Sequence, residues 1–141
     1  MSIEIKSEAR HHRPSKLLIA EDEPALLQVY KLFLAHHGHQ IVATNNGEDS
    51  LEAYRAELSK VGANTPPFDI VLLDYRMPKK NGAEIAREIL SLCPSQKLIM
   101  ITAYGGISGL DEDILKKVIL MPKPFEFERL FATIAAELKN A

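Results

Sequence analysis

The segment that most limits the fold is Phe68-Asp69-Ile70-Val71-Leu72-Leu73-Asp74. Its unbroken run of branched aliphatics reads as a buried central strand, with no polar face to show to water. Asp74 closes the run, and Tyr75-Arg76-Met77-Pro78 follows. Pro78 cannot donate to a ladder, so sheet pairing ends there. In open parallel sheets ligands bind just outside the carboxyl ends of the strands. Asp74 is therefore expected at a rim that a ligand can reach. On this segment alone, an acid at an ordinary strand-to-loop turn reads equally well.

The rest of the chain alternates strand and helix. Leu17-Leu18-Ile19-Ala20 is a short apolar strand, and Glu23-Pro24 opens a helix, proline being tolerated in a first turn. Leu26, Leu27, Tyr30, Phe33 and Leu34 recur at helical spacing before a stop at Gly38. A second strand spans Gln40 to Ala43, Asn46-Gly47 turns the chain, and a helix runs from Glu48 to about Lys60. The breaker cluster from Gly62 to Pro67 precedes the Asp74 strand. A third helix starts near Gly82 and carries Ile85, Ile89, Leu90 and Leu92. Lys97 to Ile101 is a fourth strand ending at Thr102. Gly105, Gly106 and Gly109 weaken the next helical segment, leaving Glu112 to Lys117 as its firm part. Val118 to Met121 is a fifth strand, and a helix from Phe125 carries Leu130, Phe131, Ile134 and Leu138. Such an order gives an α/β domain with a parallel sheet covered on both faces.

Residues 1–15 are polar, end in His11-His12-Arg13-Pro14-Ser15, and read as a flexible arm before a single domain over 16–141. A chain of 141 residues has room for one sizeable core. The formal net charge of −2 gives no footprint for nucleic acid or an anionic membrane. No apolar stretch approaches the roughly 20 residues that cross a bilayer, so membrane insertion is not expected. Cys93 is the only cysteine, which excludes an intrachain disulfide and a thiolate metal cluster. With no signal-like apolar region at the N-terminus, a cytoplasmic location is expected.

A doubly wound sheet ordered 2-1-3-4-5 would bring several polar strand ends together. The first strand ends in Glu21-Asp22-Glu23, the third in Asp74 and the fourth in Thr102, while Lys123 follows the fifth between two prolines. Carboxylates crowded in one pocket raise each other's pKa unless a cation intervenes. A hard divalent ion with oxygen ligands resolves the repulsion, and Mg²⁺ suits one or two carboxylates plus waters. Asp74 could then attack a phosphoryl group as a carboxylate nucleophile. The Thr102 hydroxyl and the Lys123 ammonium would meet the phosphoryl oxygens. Each piece has a plainer reading. Glu21 to Glu23 could be acids favoured by a helix dipole, Thr102 a strand-end hydroxyl and Lys123 a solvated lysine. Their order at successive strand ends favours a common site.

Four segments carry a resemblance. They are Leu17-Leu18-Ile19-Ala20-Glu21-Asp22-Glu23-Pro24, Asp69 to Pro78 with Asn81-Gly82, Ile101-Thr102-Ala103, and Lys123-Pro124-Phe125. Together they resemble the receiver domain of two-component response regulators. The resemblance implies a flavodoxin-like doubly wound fold, with five parallel strands in the order 2-1-3-4-5 and helices on both faces. It implies that Asp74 is the phosphoacceptor, supplied by a sensor histidine kinase or phosphotransfer protein. It implies Mg²⁺ held by Glu21, Asp22, Asp74 and the backbone carbonyl of Arg76, with Thr102 as switch hydroxyl and Lys123 pairing with the phosphate. Glu21 stands where the family most often has aspartate.

Three departures accompany it. Leu120 occupies the place of the family's aromatic switch residue. The glycine-rich 105–109 segment points to an abbreviated fourth helix. The link from Gly47 to Asp74 is longer than usual and reads as a lengthened second helix plus loop. Arg76 and Tyr104 are expected to flank the pocket and shield an acyl phosphate from water. His36, His37 and His39 end the first helix, on the far edge of the sheet from Asp74, and suit its dipole better than a zinc site.

The expected function is a stand-alone phosphorylation switch acting through protein contact or phosphorelay, as a monomer or a phosphorylation-dependent dimer. It would not be an enzyme with an external substrate. Met1 and the short arm favour a free-standing chain over a receiver excised from a hybrid kinase. A phosphatase of the haloacid-dehalogenase type would want an acid where Arg76 stands. A phosphate-independent pseudo-receiver would not need its full set of acids, Thr102 and Lys123.

Overall fold

The computed structural model describes residues 15–62, 64–102 and 112–139. Five strands, β1 (Lys16–Ala20), β2 (Gln40–Thr44), β3 (Ile70–Asp74), β4 (Leu98–Thr102) and β5 (Val118–Pro122), form one sheet. Between and after them run α1 (Pro24–His36), α2 (Gly47–Val61), α3 (Gly82–Leu92), α4 (Glu112–Lys117) and α5 (Phe127–Lys139). The strand order is β2-β1-β3-β4-β5 and every pairing is parallel. This is the expected doubly wound, flavodoxin-like α/β fold.

Strand alternation divides the core into two layers. Leu18, Ala20, Val71, Leu73, Leu98, Met100 and Val118 pack on one face against α2, α3 and α4. Leu17, Ile19, Ile70, Leu72, Ile99, Ile101 and Met121 pack on the other face against Tyr30 and Leu34 of α1 and Leu130 and Ile134 of α5. All five residues of β3 are buried, as its run of aliphatics requires. Burying each such side chain contributes about 1.5–3 kcal/mol, so a charge at Leu72 would break this layer.

Local chemistry sets the helix ends. Pro24 begins α1, and Gly38 at φ +91° turns the chain out of it, a conformation that a Cβ would strain. Asn46 caps α2 by accepting from the Asp49 amide. Asn81 and Glu84 form a reciprocal capping box on α3. The expected lengthening between Gly47 and Asp74 is the fifteen-residue α2 and the loop after it. A buried polar chain ties that loop down: the Tyr54 hydroxyl donates to Gln96 Oε1, and Gln96 Nε2 donates to the Phe68 carbonyl. Cys93 follows α3, buried, with its amide donating to the Ile89 carbonyl. Residues 1–14 of the expected 1–15 arm and the glycine-rich 105–109 segment lie outside the described residues.

Candidate active site

The site forms where β1, β3, β4 and β5 reach their carboxyl ends. Glu21 follows β1 directly, and its amide donates to the Thr44 carbonyl, which fixes the backbone at that point. It extends the row Leu17, Ile19 and so continues the face that packs against α1 and α5. Asp74 extends Ile70 and Leu72 toward the same face. Asp22 is exposed beside them. One carboxylate oxygen from each of Glu21, Asp22 and Asp74 lies within 4.8 Å of the other two, the one such acidic group among the described residues.

Burial distinguishes these acids from a solvated charge run. Glu21 is 1% exposed and Asp74 is 6% exposed. Glu21 Oε2 accepts from the Glu23 amide at 3.0 Å, while Glu21 Oε1 is buried with no hydrogen-bond partner. Burial, reinforced by the Asp74 charge, pushes the Glu21 carboxyl up to about 7. Burial also raises Asp74, opposed chiefly by the Lys123 ammonium. Lys123 Nζ stands 3.8 Å from Asp74 Oδ2, an ion pair longer than a hydrogen bond. Thr102 is buried at the end of β4, one residue past Ile101, which pairs with Asp74, and its carbonyl accepts from the Lys123 amide at 2.7 Å. The three acids and Lys123 thus meet at this edge, and Thr102 ends the neighbouring strand on the other face of the sheet.

Arg76 has an exposed side chain, and its backbone N–H favours the ionised form of Asp74. Tyr104, its expected companion, lies outside the described residues. The loop after Asp74 is shaped by two close approaches. A Cβ on Gly82 would fall 2.8 Å from the Asp74 carbonyl oxygen, and one on Gly47 would fall 2.3 Å from the Lys80 carbonyl oxygen. The Gly47 amide also donates to Pro78. The loop that carries Lys79 and Lys80 is thus clamped between two glycines. The sequence marks Gly47 as part of a turn and Gly82 as the start of a helix, but not these long-range contacts.

The donor set fits a hard divalent cation. It offers oxygens only, includes a buried carboxylate oxygen with no other partner, and holds acids that resist ionisation without a countercharge.

Residues 17–135 match the response regulator receiver domain family. The chain belongs to that family. A response regulator ArlR from Staphylococcus saprophyticus is 34% identical over 130 residues, covering 89% of this chain and 53% of that protein. The transcriptional regulatory protein GlrR from Escherichia coli is 28% identical over 131 residues, covering 92% of this chain and 28% of that protein. This receiver thus spans about half of one relative and about a quarter of the other. Among solved structures, a receiver domain protein from Clostridium thermocellum shares the fold with a TM-score of 0.76 at 23% identity, over 89% of this chain and 95% of that one. A CheY-like receiver from Methanospirillum hungatei gives 0.75 at 21% identity, over 90% and 95%.

One receiver feature differs from the family pattern that the sequence resembles. Leu120 is 36% exposed on β5, paired in register with Met100, and brings no ring to the switch position. The histidines build no metal group among the described residues. His37 Nδ1 lies 2.8 Å from the Phe33 carbonyl, and His39 is half-buried, which lowers its pKa.

Proposed function

We propose that this receiver is a phosphorylation switch whose acceptor is Asp74. A phosphohistidine on a sensor histidine kinase or phosphotransfer protein supplies the phosphoryl group. An Asp74 carboxylate oxygen bonds to phosphorus as the phosphorus–imidazole bond breaks, and the bonding electron pair leaves with the imidazole. Glu21, Asp22, Asp74 and the Arg76 carbonyl would hold Mg²⁺. When bound, the ion supplies positive charge against the phosphoryl oxygens. The Lys123 ammonium pairs with one of those oxygens and the Thr102 hydroxyl donates to another. The chain assists its own phosphorylation and dephosphorylation and turns over no external substrate. Output passes by protein contact or by phosphorelay, in the cytoplasm.

The observation that carries this reading is the meeting of three carboxylates within 4.8 Å, with Lys123 Nζ 3.8 Å from the Asp74 carboxylate. Intact mass after incubation with Mg²⁺ and acetyl phosphate tests it, beside Asp74→Asn. One added phosphoryl group is expected in the parent with Mg²⁺, and none in the variant or without the ion. A parent that takes neither this donor nor beryllofluoride would support a phosphate-independent binding module instead.

A further inference from the structure

Among the described residues, two buried side-chain oxygens have no hydrogen-bond partner, Glu21 Oε1 and the Tyr30 hydroxyl. One is an acceptor and the other can donate. Both residues are 1% exposed. Both also lie on the same side of the sheet. Tyr30 of α1 packs in the layer with Leu17 and Ile19, and Glu21 extends that row past the end of β1. Burial raises the Tyr30 pKa, and the nearby acids reinforce this, Glu21 most strongly, then Asp74 and Glu23. The ring itself is explained by packing, edge-on to Phe127 at 6.0 Å. A phenylalanine would pack as well, so the core accounts for the ring and not for the hydroxyl. A buried hydroxyl with no partner is costly, and a carboxylate oxygen is its natural complement.

We propose that Tyr30 is a positioning residue for Glu21, its hydroxyl donating to the Glu21 carboxylate across one water and fixing that acid as a cation ligand. The inference rests on the metal-binding reading above. It also links two departures from the simplest acidic site: a longer acid at position 21 and a phenol on the helix that packs beneath it.

Calorimetric Mg²⁺ titration of the full chain tests it in the parent, Tyr30→Phe, Glu21→Asp and the double variant. Tyr30→Phe should weaken Mg²⁺ binding at least fivefold. The same change should have no effect in the Glu21→Asp background, where the shorter acid is out of reach of the hydroxyl. Mg²⁺ should also perturb the tyrosine absorbance of the parent, and Tyr30→Phe should remove part of that signal. Unchanged affinity in Tyr30→Phe, with or without a rise in stability, would overturn the inference and leave the metal reading intact. A parent that binds no Mg²⁺ would overturn both. If Tyr30→Phe does not fold, the parent's spectrum decides, and an absorbance unmoved by Mg²⁺ counts against the proposal.

Discussion

Glu21 makes the sharpest prediction, because its environment sets a sign and a size. Its carboxyl is pushed from the ordinary 4.5 up to about 7 by burial and by Asp74. Between those values the folded state keeps a proton that the unfolded chain releases. This contribution to stability is therefore complete below about 4.5 and is lost as pH rises through 7. The difference between the two values, at about 1.4 kcal/mol per pKa unit, amounts to a loss on the order of 3 kcal/mol by pH 8. Asp74 is raised as well and acts in the same direction.

The perturbation is Glu21→Gln. The amide oxygen can still accept from the Glu23 N–H, and its NH₂ can donate to the Asp74 carboxylate, but no charge is buried at position 21. Urea unfolding without divalent ions, at pH 5 and at pH 8, is the assay. Parent and variant should be close at pH 5. At pH 8 the variant should be more stable by on the order of 3 kcal/mol, or roughly 10 °C in melting temperature for a domain of this size. His39, whose pKa is lowered by burial, loses its contribution as pH falls, the opposite sense. It is common to both proteins and cancels in the difference. Mg²⁺ should stabilise the parent at pH 8 and leave the variant nearly unmoved. A gap between the two proteins that is equal at pH 5 and pH 8, or a variant less stable at pH 8, would refute the argument.

Gly82→Ala should cost about 1–3 kcal/mol in urea unfolding, because the new Cβ would meet backbone atoms, the Asp74 carbonyl oxygen at 2.8 Å and Tyr75 Cα at 2.9 Å. It should also slow phosphoryl uptake as read by intact mass, since the residues displaced are the acceptor and its neighbour. Tyr54→Phe should lower stability by about 1–3 kcal/mol, with an unchanged denaturant slope, by leaving buried Gln96 Oε1 without its donor.

Much of the fold could be read from hydrophobic spacing. The aliphatic run before Asp74, the Glu23-Pro24 helix start and the helix start near Gly82 are local signals, and each reappears at its expected place in β3, α1 and α3. That Glu21, Asp22, Asp74, Thr102 and Lys123 lie along one edge of the sheet followed from strand order, since parallel strands end on one edge. What remained hidden depends on contacts between distant segments. Tyr30 sits at an apolar helix position, and periodicity registers its ring while ignoring its hydroxyl. Gln96 carries no sequence signal of its own, and its role comes from Tyr54 and Phe68 closing around it. Gly47 reads as a turn residue, although its deeper constraint is the Lys80 backbone, which approaches from another loop.

The same alternation that gathers the acids also separates them from Thr102. Asp74 continues the row Ile70, Leu72 that faces α1 and α5, whereas Thr102 continues Leu98, Met100, which faces α2, α3 and α4. A group bound to Asp74 and reaching the Thr102 hydroxyl would therefore bridge the two core layers at the rim of the sheet. Met100 pairs in register with Leu120, and Leu120 lies on the Thr102 side, partly exposed. A leucine there offers volume but no hydrogen-bonding group or ring plane. Beyond the backbone bond from the Lys123 amide to Thr102, movement of Thr102 toward Asp74 reaches the β5 side chains through repacking of aliphatic groups. Leu120→Ala should then weaken the coupling between acceptor and surface by removing that volume, while Leu120→Met, which conserves it, should not. Chemical shifts of β5 amides with and without beryllofluoride would separate the two variants, and equal shifts in both would show that the signal leaves the site by another route.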